Sequence, residues 1–359
     1  MKKILFAATL CSIFFACKKE NKNEQVVGKN AEGKELVVNA SGDTIVKTET
    51  SNDTVAKPLE TANEVTAIKK NEDGTYEFRY NLEKGKTYPV TLSIKGVHTA
   101  SSGSENMKMS NESKKTIEYT VKDFTNGIYT LEVKSKHYNE KMTDPQGKSM
   151  SFDTNSGKPS AKDVAFTWSV YKAMIGKTYT MKIDQKGKVI SVDGLDAIRK
   201  QIENSVKPQL SAEELKFVSE MLKNSLNKEV ISAQFEETMN IYPDKKLKLK
   251  ESWSDKQNIN QGGMKGSTDL TRTLASVDHA NTKITVKGTQ KLSGSDAQQG
   301  MKMSANANAD VTGTILIDTK SGWINNVSLT KKETLKRTME ANGQKQTVTE
   351  SVTTTTTVN

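Results

Sequence analysis

Apolar and polar residues alternate along most of the chain beyond residue 76. Tyr88, Val90, Leu92 and Ile94 share one parity, and Thr87, Thr91, Ser93 and Lys95 share the other. Ile117, Tyr119 and Val121 alternate with Glu118, Thr120 and Lys122. Tyr129, Leu131 and Val133 alternate with Thr130, Glu132 and Lys134. A period of two, enriched in Thr, Val, Ile and Tyr, predicts antiparallel strands with one buried and one wet face. Asn126-Gly127 between the last two runs predicts a tight hairpin. The longest run covers 301–317. Met301, Met303, Ala305, Ala307, Ala309, Val311, Gly313, Ile315 and Ile317 share one face, against Lys302, Ser304, Asn306, Asn308, Asp310, Thr312 and Thr314. One strand of that length extends roughly 55 Å at about 3.3 Å per residue, and Gly313 is the expected place for a bend.

One block follows the helical period instead. Leu195, Ile198 and Ile202 open it. Ser211-Ala-Glu-Glu214 reads as a capping box ahead of Leu215, Val218, Leu222 and Leu226. Val230, Ile231, Phe235 and Met239 follow, and Pro243 closes the block. The β regions on either side look like diverged copies. Aligning Thr120 with Thr273 matches Val121 to Leu274, Phe124 to Val277 and Leu131-Glu-Val-Lys134 to Ile284-Thr-Val-Lys287. Gly85-Lys-Thr-Tyr88 has a counterpart in Glu251-Ser-Trp253. Lys182-Ile-Asp184 with Gly187 matches Leu316-Ile-Asp318 with Gly322. The expected fold class is α+β, mainly antiparallel β. A strongly curved, half-barrel-like sheet of two diverged β repeats carries three short helices inserted between them.

The N-terminus changes the picture. Residues 1–16, MKKILFAATLCSIFFA, place two lysines before an apolar stretch too short to span a bilayer, which is the pattern of a signal peptide. Phe14-Phe15-Ala16-Cys17 resembles a bacterial lipobox. The resemblance implies lipidation of Cys17 on its thiol and new amino group, and an outer-membrane location in a Gram-negative bacterium, periplasmic or surface-facing. The other cysteine, Cys11, leaves with the signal, so no disulfide, thiolate metal site or cysteine nucleophile remains. Residues 18–68 lack aromatics and read as a disordered tether on the lipidated end, giving a 17–68 segment. Within it Asp43-Thr44-Ile45 and Asp53-Thr54-Val55 resemble an O-glycosylation sequon at Thr44 and Thr54, with chance triplets the equal alternative. The remaining divisions are a first β repeat at 69–194, a helical insert at 195–242 and a second β repeat at 243–359. Residues 69–359 are expected to form one folded unit.

Charge and chemistry narrow the function mainly by exclusion. The net charge is +10, but the only arginines are Arg79, Arg199, Arg272 and Arg337, and the lysines are spread along the chain. Nucleic-acid binders concentrate charge and favour arginine forks, so no nucleic-acid partner is expected. His98, His137 and His279 have no metal-ligand spacing, and no Gly-x-Ser-x-Gly elbow occurs. Gly262-Gly263-Met-Lys-Gly266 lacks the context of a phosphate loop, and Glu213-Glu214 and Glu236-Glu237 read as solvated helix faces. No catalytic residue, cofactor or metal is expected. Met107-x-Met109 and Met301-x-Met303, with Met142, Met150 and Met264, offer soft Cu(I) ligands, although apolar strand faces use the same spacing.

Several motifs together resemble a known family. They are Gly85-Lys-Thr-Tyr88, Gly176-Lys-Thr-Tyr179, Lys186-Gly-Lys-Val-Ile-Ser-Val-Asp-Gly194, Tyr242-Pro-Asp-Lys before Glu251-Ser-Trp253, and Gly313-Thr-Ile-Leu-Ile-Asp318. The combination resembles the DUF6263-type proteins, uncharacterised bacterial envelope lipoproteins, which implies no activity and no site. Such proteins usually have glycine before the Trp motif, where this chain has Glu251. The order of elements also resembles the LolA/LppX class, which implies a curved sheet wrapped around helices and a lipid-sized cavity. Met301, Met303, Ala305, Ala307, Ala309 and Val311 would face that space, with Leu215, Val218 and Leu222 across it; close packing is the competing reading. The expected function is a non-catalytic, lipid-anchored structural or interaction module that meets a glycan or another envelope protein. The alternative is carriage of a lipid or other apolar ligand.

Overall fold

A computed structural model describes residues 26–29, 35–38, 44–46, 66–102, 105–261, 264–298, 301–341 and 344–359. The chain divides into two compact units, 19–64 and a larger one that takes in residues 65–359. In the smaller unit β1 (Val26–Lys29), β2 (Glu35–Val38) and β3 (Thr44–Val46) form an antiparallel sheet in that order. Cys17, Thr54 and most of the expected tether lie outside the described residues. Its last two positions do not: Ala67 and Ile68 are buried in the main core.

The larger unit opens with a hairpin of β4 (Ile68–Lys70) and β5 (Tyr76–Phe78). Then come β6 (Thr87–Ser102), β7 (Glu105–Thr125), β8 (Ile128–Thr143), β9 (Ser149–Asp153), α1 (Lys162–Met174), β10 (Thr178–Asp184) and β11 (Val189–Asp193). Three helices follow: α2 (Leu195–Val206), α3 (Ala212–Ser225) and α4 (Lys228–Met239). The chain ends with β12 (Ser252–Gln261), β13 (Met264–Val277), β14 (Asn281–Gln298), β15 (Met301–Asp318), β16 (Ile324–Ala341) and β17 (Gln344–Val358).

Twelve strands form one antiparallel sheet in the order β11-β10-β8-β7-β6-β17-β16-β15-β14-β13-β12, with β9 added beside β8. The chain leaves the sheet at one edge, makes α2 to α4, and re-enters at the other edge. Its first long strand, β6, pairs with its last, β17, in the middle.

The two β regions share several local arrangements. Thr87 faces Thr120 and Ser252 faces Thr273, with the hydroxyls 2.8 Å apart in both pairs. Val121 exchanges backbone bonds with Gly85 and Lys86, and Leu274 with Lys250 and Glu251. The ladder slips after Val121 and again after Leu274. Asp184 and Asp318 each open a turn by accepting backbone N–H bonds, and Gly187 and Gly322 take positive φ. The register corrects one expectation. The left-handed position of Gly85 (φ 84°) corresponds to Lys250 (φ 68°), not Glu251. The second copy therefore holds a lysine in a backbone region that favours glycine.

The helices confirm the capping box, with Ser211 and Glu214 bonding each other's backbone N–H. Helix α1 is an addition. Phe166, Thr167, Trp168, Val170 and Tyr171 favour strands, which is why 69–194 reads as all β. Packing overrides this weak preference: Tyr171 stacks on Tyr138 with ring centres 3.8 Å apart, and Val164 and Val170 are buried. Strand β15 is continuous over 18 residues. Its irregularity falls between Leu316 and Ile317, not at Gly313, because the β16 ladder slips there.

One core joins α2 to α4 to one end of the long strands, through Tyr119, Leu131, Ile202, Leu222, Leu274 and Ile284. Tyr80 donates to the Met239 carbonyl (2.7 Å) and Tyr242 to the Gly322 carbonyl, tying the helix block to the β4–β5 segment and the β15–β16 turn. Past this core the strands run on, with a small cluster of Ile259, Leu292 and Ala307.

Candidate functional site

The sheet face that carries Ile315 and Ile317 in the core continues outward through Val311, Ala309, Ala307, Ala305 and Met303. Pairing transfers this inward face to the neighbours, since directly opposed residues share a side. Ala307 faces Leu292 and Leu335, Ala309 faces Gln290 and Glu333, and Val311 faces Gly288 and Lys331. Further across, Glu333 faces Val352, Val352 faces His98, and His98 faces Met109. Met107, Met109, Met303 and Met339 lie farthest from the core, and each is more than a third exposed. The opposite face of β6, β16 and β17 is a ladder of Thr, Ser and Lys.

The expected ligand-facing residues separate into two groups. Val218 and Leu222 are buried in the main core, and Leu215 packs against it. Ala307 belongs to the outer cluster, closed over by Leu292 and Leu335 on adjoining strands. The structure therefore does not bring α3 and the alanine row to one hollow. Ala309 is buried, Ala305 and Val311 are half-buried, and Met303 is exposed. Met301 pairs with Gln298 at the strand end; its side chain lies outside the description. Thr44 begins β3.

Two hollows are present among the described residues. One, of about 420 Å³, is lined mostly by outward-parity residues such as Lys291, Asp310 and Lys332, and also by the inward-parity Gln290, Ala309, Glu333 and Val352. The other, of about 560 Å³, sits among turns near Arg79, Gly127, Asp184, Lys186 and Lys246. Lys186 there donates to the Pro243 carbonyl (2.6 Å), and burial lowers its pKa.

Between the helix-covered core and the methionine rim, the inward face is unexpectedly polar. Buried Arg272 pairs with Asp255. Gln290 donates to Thr268 (2.8 Å). Lys331 pairs with Glu333 at 2.5 Å. Asn111 Oδ1, Gln290 Oε1 and Arg272 Nε are buried without hydrogen-bond partners. On α4, Glu237 has protein close around it yet is more than a third exposed by surface area. Crowding pushes its pKa up to about 7 against the pull of Lys331. Sequence reasoning passed over these residues, although a signal was present: Arg272, Gln290, Lys331 and Glu333 all occupy inward-parity positions.

Catalytic and metal arrangements are sparse. His137 Nε2 lies 2.8 Å from Asp153 Oδ1, His98 sits on the inward face, and His279 follows β13. Among the described residues no group of three or more His, Cys, Asp or Glu could hold a metal. Met107 and Met109 stand on β7 and Met303 on β15, four strands away, or about 19 Å at ~4.8 Å per strand. One copper ion cannot bridge that span. Among the described residues no helix is long and apolar enough to cross a membrane.

Residues 126–324 match the model of a family described as a family of unknown function, DUF6263. The curated proteins contain no match. Among solved structures, a lipovitellin structure concerned with lipid–protein interactions is similar at TM-score 0.32 and 8% identity, over 77% of this chain and 25% of that one. Salmonella typhi OmpF in complex with daunomycin is similar at TM-score 0.18 and 6% identity, over 80% of this chain and 99% of that one. The COG4313 outer membrane channel from Pseudomonas putida F1 is similar at TM-score 0.18 and 6% identity, over 78% and 98%. The chain spans a quarter of the lipovitellin chain's length. Likenesses this distant assign neither fold nor function.

Proposed function

The chain belongs to the DUF6263 family, and from that premise we propose a non-catalytic binding module, anchored through Cys17 at the outer membrane of a Gram-negative bacterium. Its inward sheet face receives an acyl chain or similar apolar ligand. The observation that supports this reading is the outer part of that face: Met303 and Met339 stand exposed at the end of the alanine row, and Met107 and Met109 stand exposed on β7, all beyond the core that the helices cover. Methionine is flexible and adapts to irregular apolar partners. Curling of the sheet around the helices, and descent of its halves from one duplicated unit, belong to the same reading.

The test uses the full chain with Cys17→Ser, recovered from a bacterial envelope and examined by native mass spectrometry with extraction of bound lipid. The expected result is one lipid per chain. A clean apo mass, unchanged when phospholipids and fatty acids are offered, overturns the proposal. That outcome would favour a second reading, a glycan or envelope-protein partner on the Thr- and Lys-rich face. The hydroxyl pairs of that face, such as Thr91 with Thr116, already satisfy one another, so the first reading is preferred.

A further inference from the structure

Strand β7 carries an anomaly on its inward face. The inward residues are Tyr119, Ile117, Lys115, Ser113, Asn111, Met109 and Met107, so a lysine stands where the core gives way to the open face. Lys115 is directly opposite Leu92 on β6 and Tyr138 on β8. Beyond Leu92 the row continues to Val358 and Val327. Among the described residues Lys115 has no ion pair and no hydrogen bond. The inward acid on the neighbouring strand, Glu140, stands opposite Ser113 and accepts from the Tyr138 hydroxyl at 3.3 Å, with no ion pair to Lys115. Lys115 is enclosed by protein but still partly solvent-accessible, and burial depresses its pKa with no acid opposing the shift.

Partly burying an ammonium without a bonded counter-charge is costly, and an unpaired charge of this kind marks a candidate binding position. From Lys115 the inward face leads outward over Asn111 and Met109 to Met107. The eight steps from Lys115 to Met107 span about 27 Å at ~3.4 Å per residue.

We infer that Lys115 is the head-group anchor for an acyl ligand whose head carries anionic oxygens, a carboxylate or a phosphate, with the chain lying outward along β6 and β7 to the methionine rim. This rests on the acyl-ligand reading above and adds the class of head group. Lys115 is the only lysine on the inward row of β7, and an anionic head group supplies the counter-charge that no acid among the described residues gives it.

The experiment uses the full chain with Cys17→Ser and three probes of equal chain length: palmitate, hexadecyl phosphate and hexadecanol. Calorimetric titration is expected to show palmitate or hexadecyl phosphate binding at least tenfold tighter than hexadecanol. Whichever anion is preferred identifies the head group. Lys115→Met should reduce the preference to within twofold, and Lys115→Arg should retain it. Without ligand, Lys115→Met should also raise the melting temperature, because it removes an unpaired charge from an apolar site. Equal affinity for all three probes overturns the anchor and leaves the acyl reading intact. A preference that survives Lys115→Met, or a lowered melting temperature in that variant, also overturns the anchor. Failure of every probe to bind overturns the acyl reading itself.

Discussion

Leu131 and Met109 stand on the same face of the same sheet, on adjacent strands. Leu131 is fully buried, whereas Met109 is 44% exposed. The strands around Leu131 lie under α2, α3 and α4, and those around Met109 run past the helices. Nothing in the local alternation separates the two ends. The comparison teaches that a period-two pattern specifies which side of a strand turns inward, and says nothing about whether another layer covers that side. Here one face serves as core at one end and as open surface at the other.

The sharpest way to break this comparison is to truncate both ends. Leu131→Ala should cost about 2–5 kcal/mol in urea unfolding, the range for emptying a packed site. Met109→Ala should stay within about 0.5 kcal/mol, as for an exposed position. Equal losses would mean that the outer half is packed in solution, and the two-region description would fail.

Next in size is the attachment of the helices. Tyr80→Phe leaves the buried Met239 carbonyl at the end of α4 without its donor, an expected cost of about 1–3 kcal/mol. Unfolding followed by tryptophan fluorescence would read it, since Trp323 packs against Tyr80. Ser211→Ala removes the reciprocal cap of α3 and should cost about 1 kcal/mol. Circular dichroism melting checks it, and no change would show that α3 is held by packing alone.

The smallest effect concerns the boundary between the regions. Glu237 has its pKa raised from 4.5 to about 7 in the folded chain. The folded state therefore binds its proton more tightly than the unfolded state, and stability should fall as pH rises from about 4.5 to 7. Glu237→Gln should flatten that slope and leave stability near pH 4 unchanged. Because the side chain is partly solvent-exposed, the difference should be modest. A steeper slope in the variant would contradict the raised pKa of Glu237.

Much of the architecture was legible in the residues. Asn126-Gly127 forms the β7–β8 turn with both residues at positive φ, and Ser211-Ala-Glu-Glu214 caps α3. The alignment of Thr120 with Thr273 matches the strand register. The residues that escaped notice did so for identifiable reasons. Helix α1 is made of β-favouring residues and owes its form to the stacking of Tyr171 on Tyr138. Lys250 adopts a glycine-like conformation that a tandem alignment shifted by one residue assigns to Glu251. The polar inward residues, Lys115 among them, look like breaks in an apolar pattern until neighbouring strands show that they face the same way.

The sequence by itself determined most of the strands, their inward faces, the turns and the helix insert, because these depend on local periodicity and on residues that favour particular backbone angles. Only the tertiary structure decided that β6 and β17 meet at the centre of one sheet, that the helices cover one end of it, and that Lys115 has no ion pair among the described residues. Those outcomes depend on contacts between residues far apart in the chain, and alternation along a single strand carries no record of them.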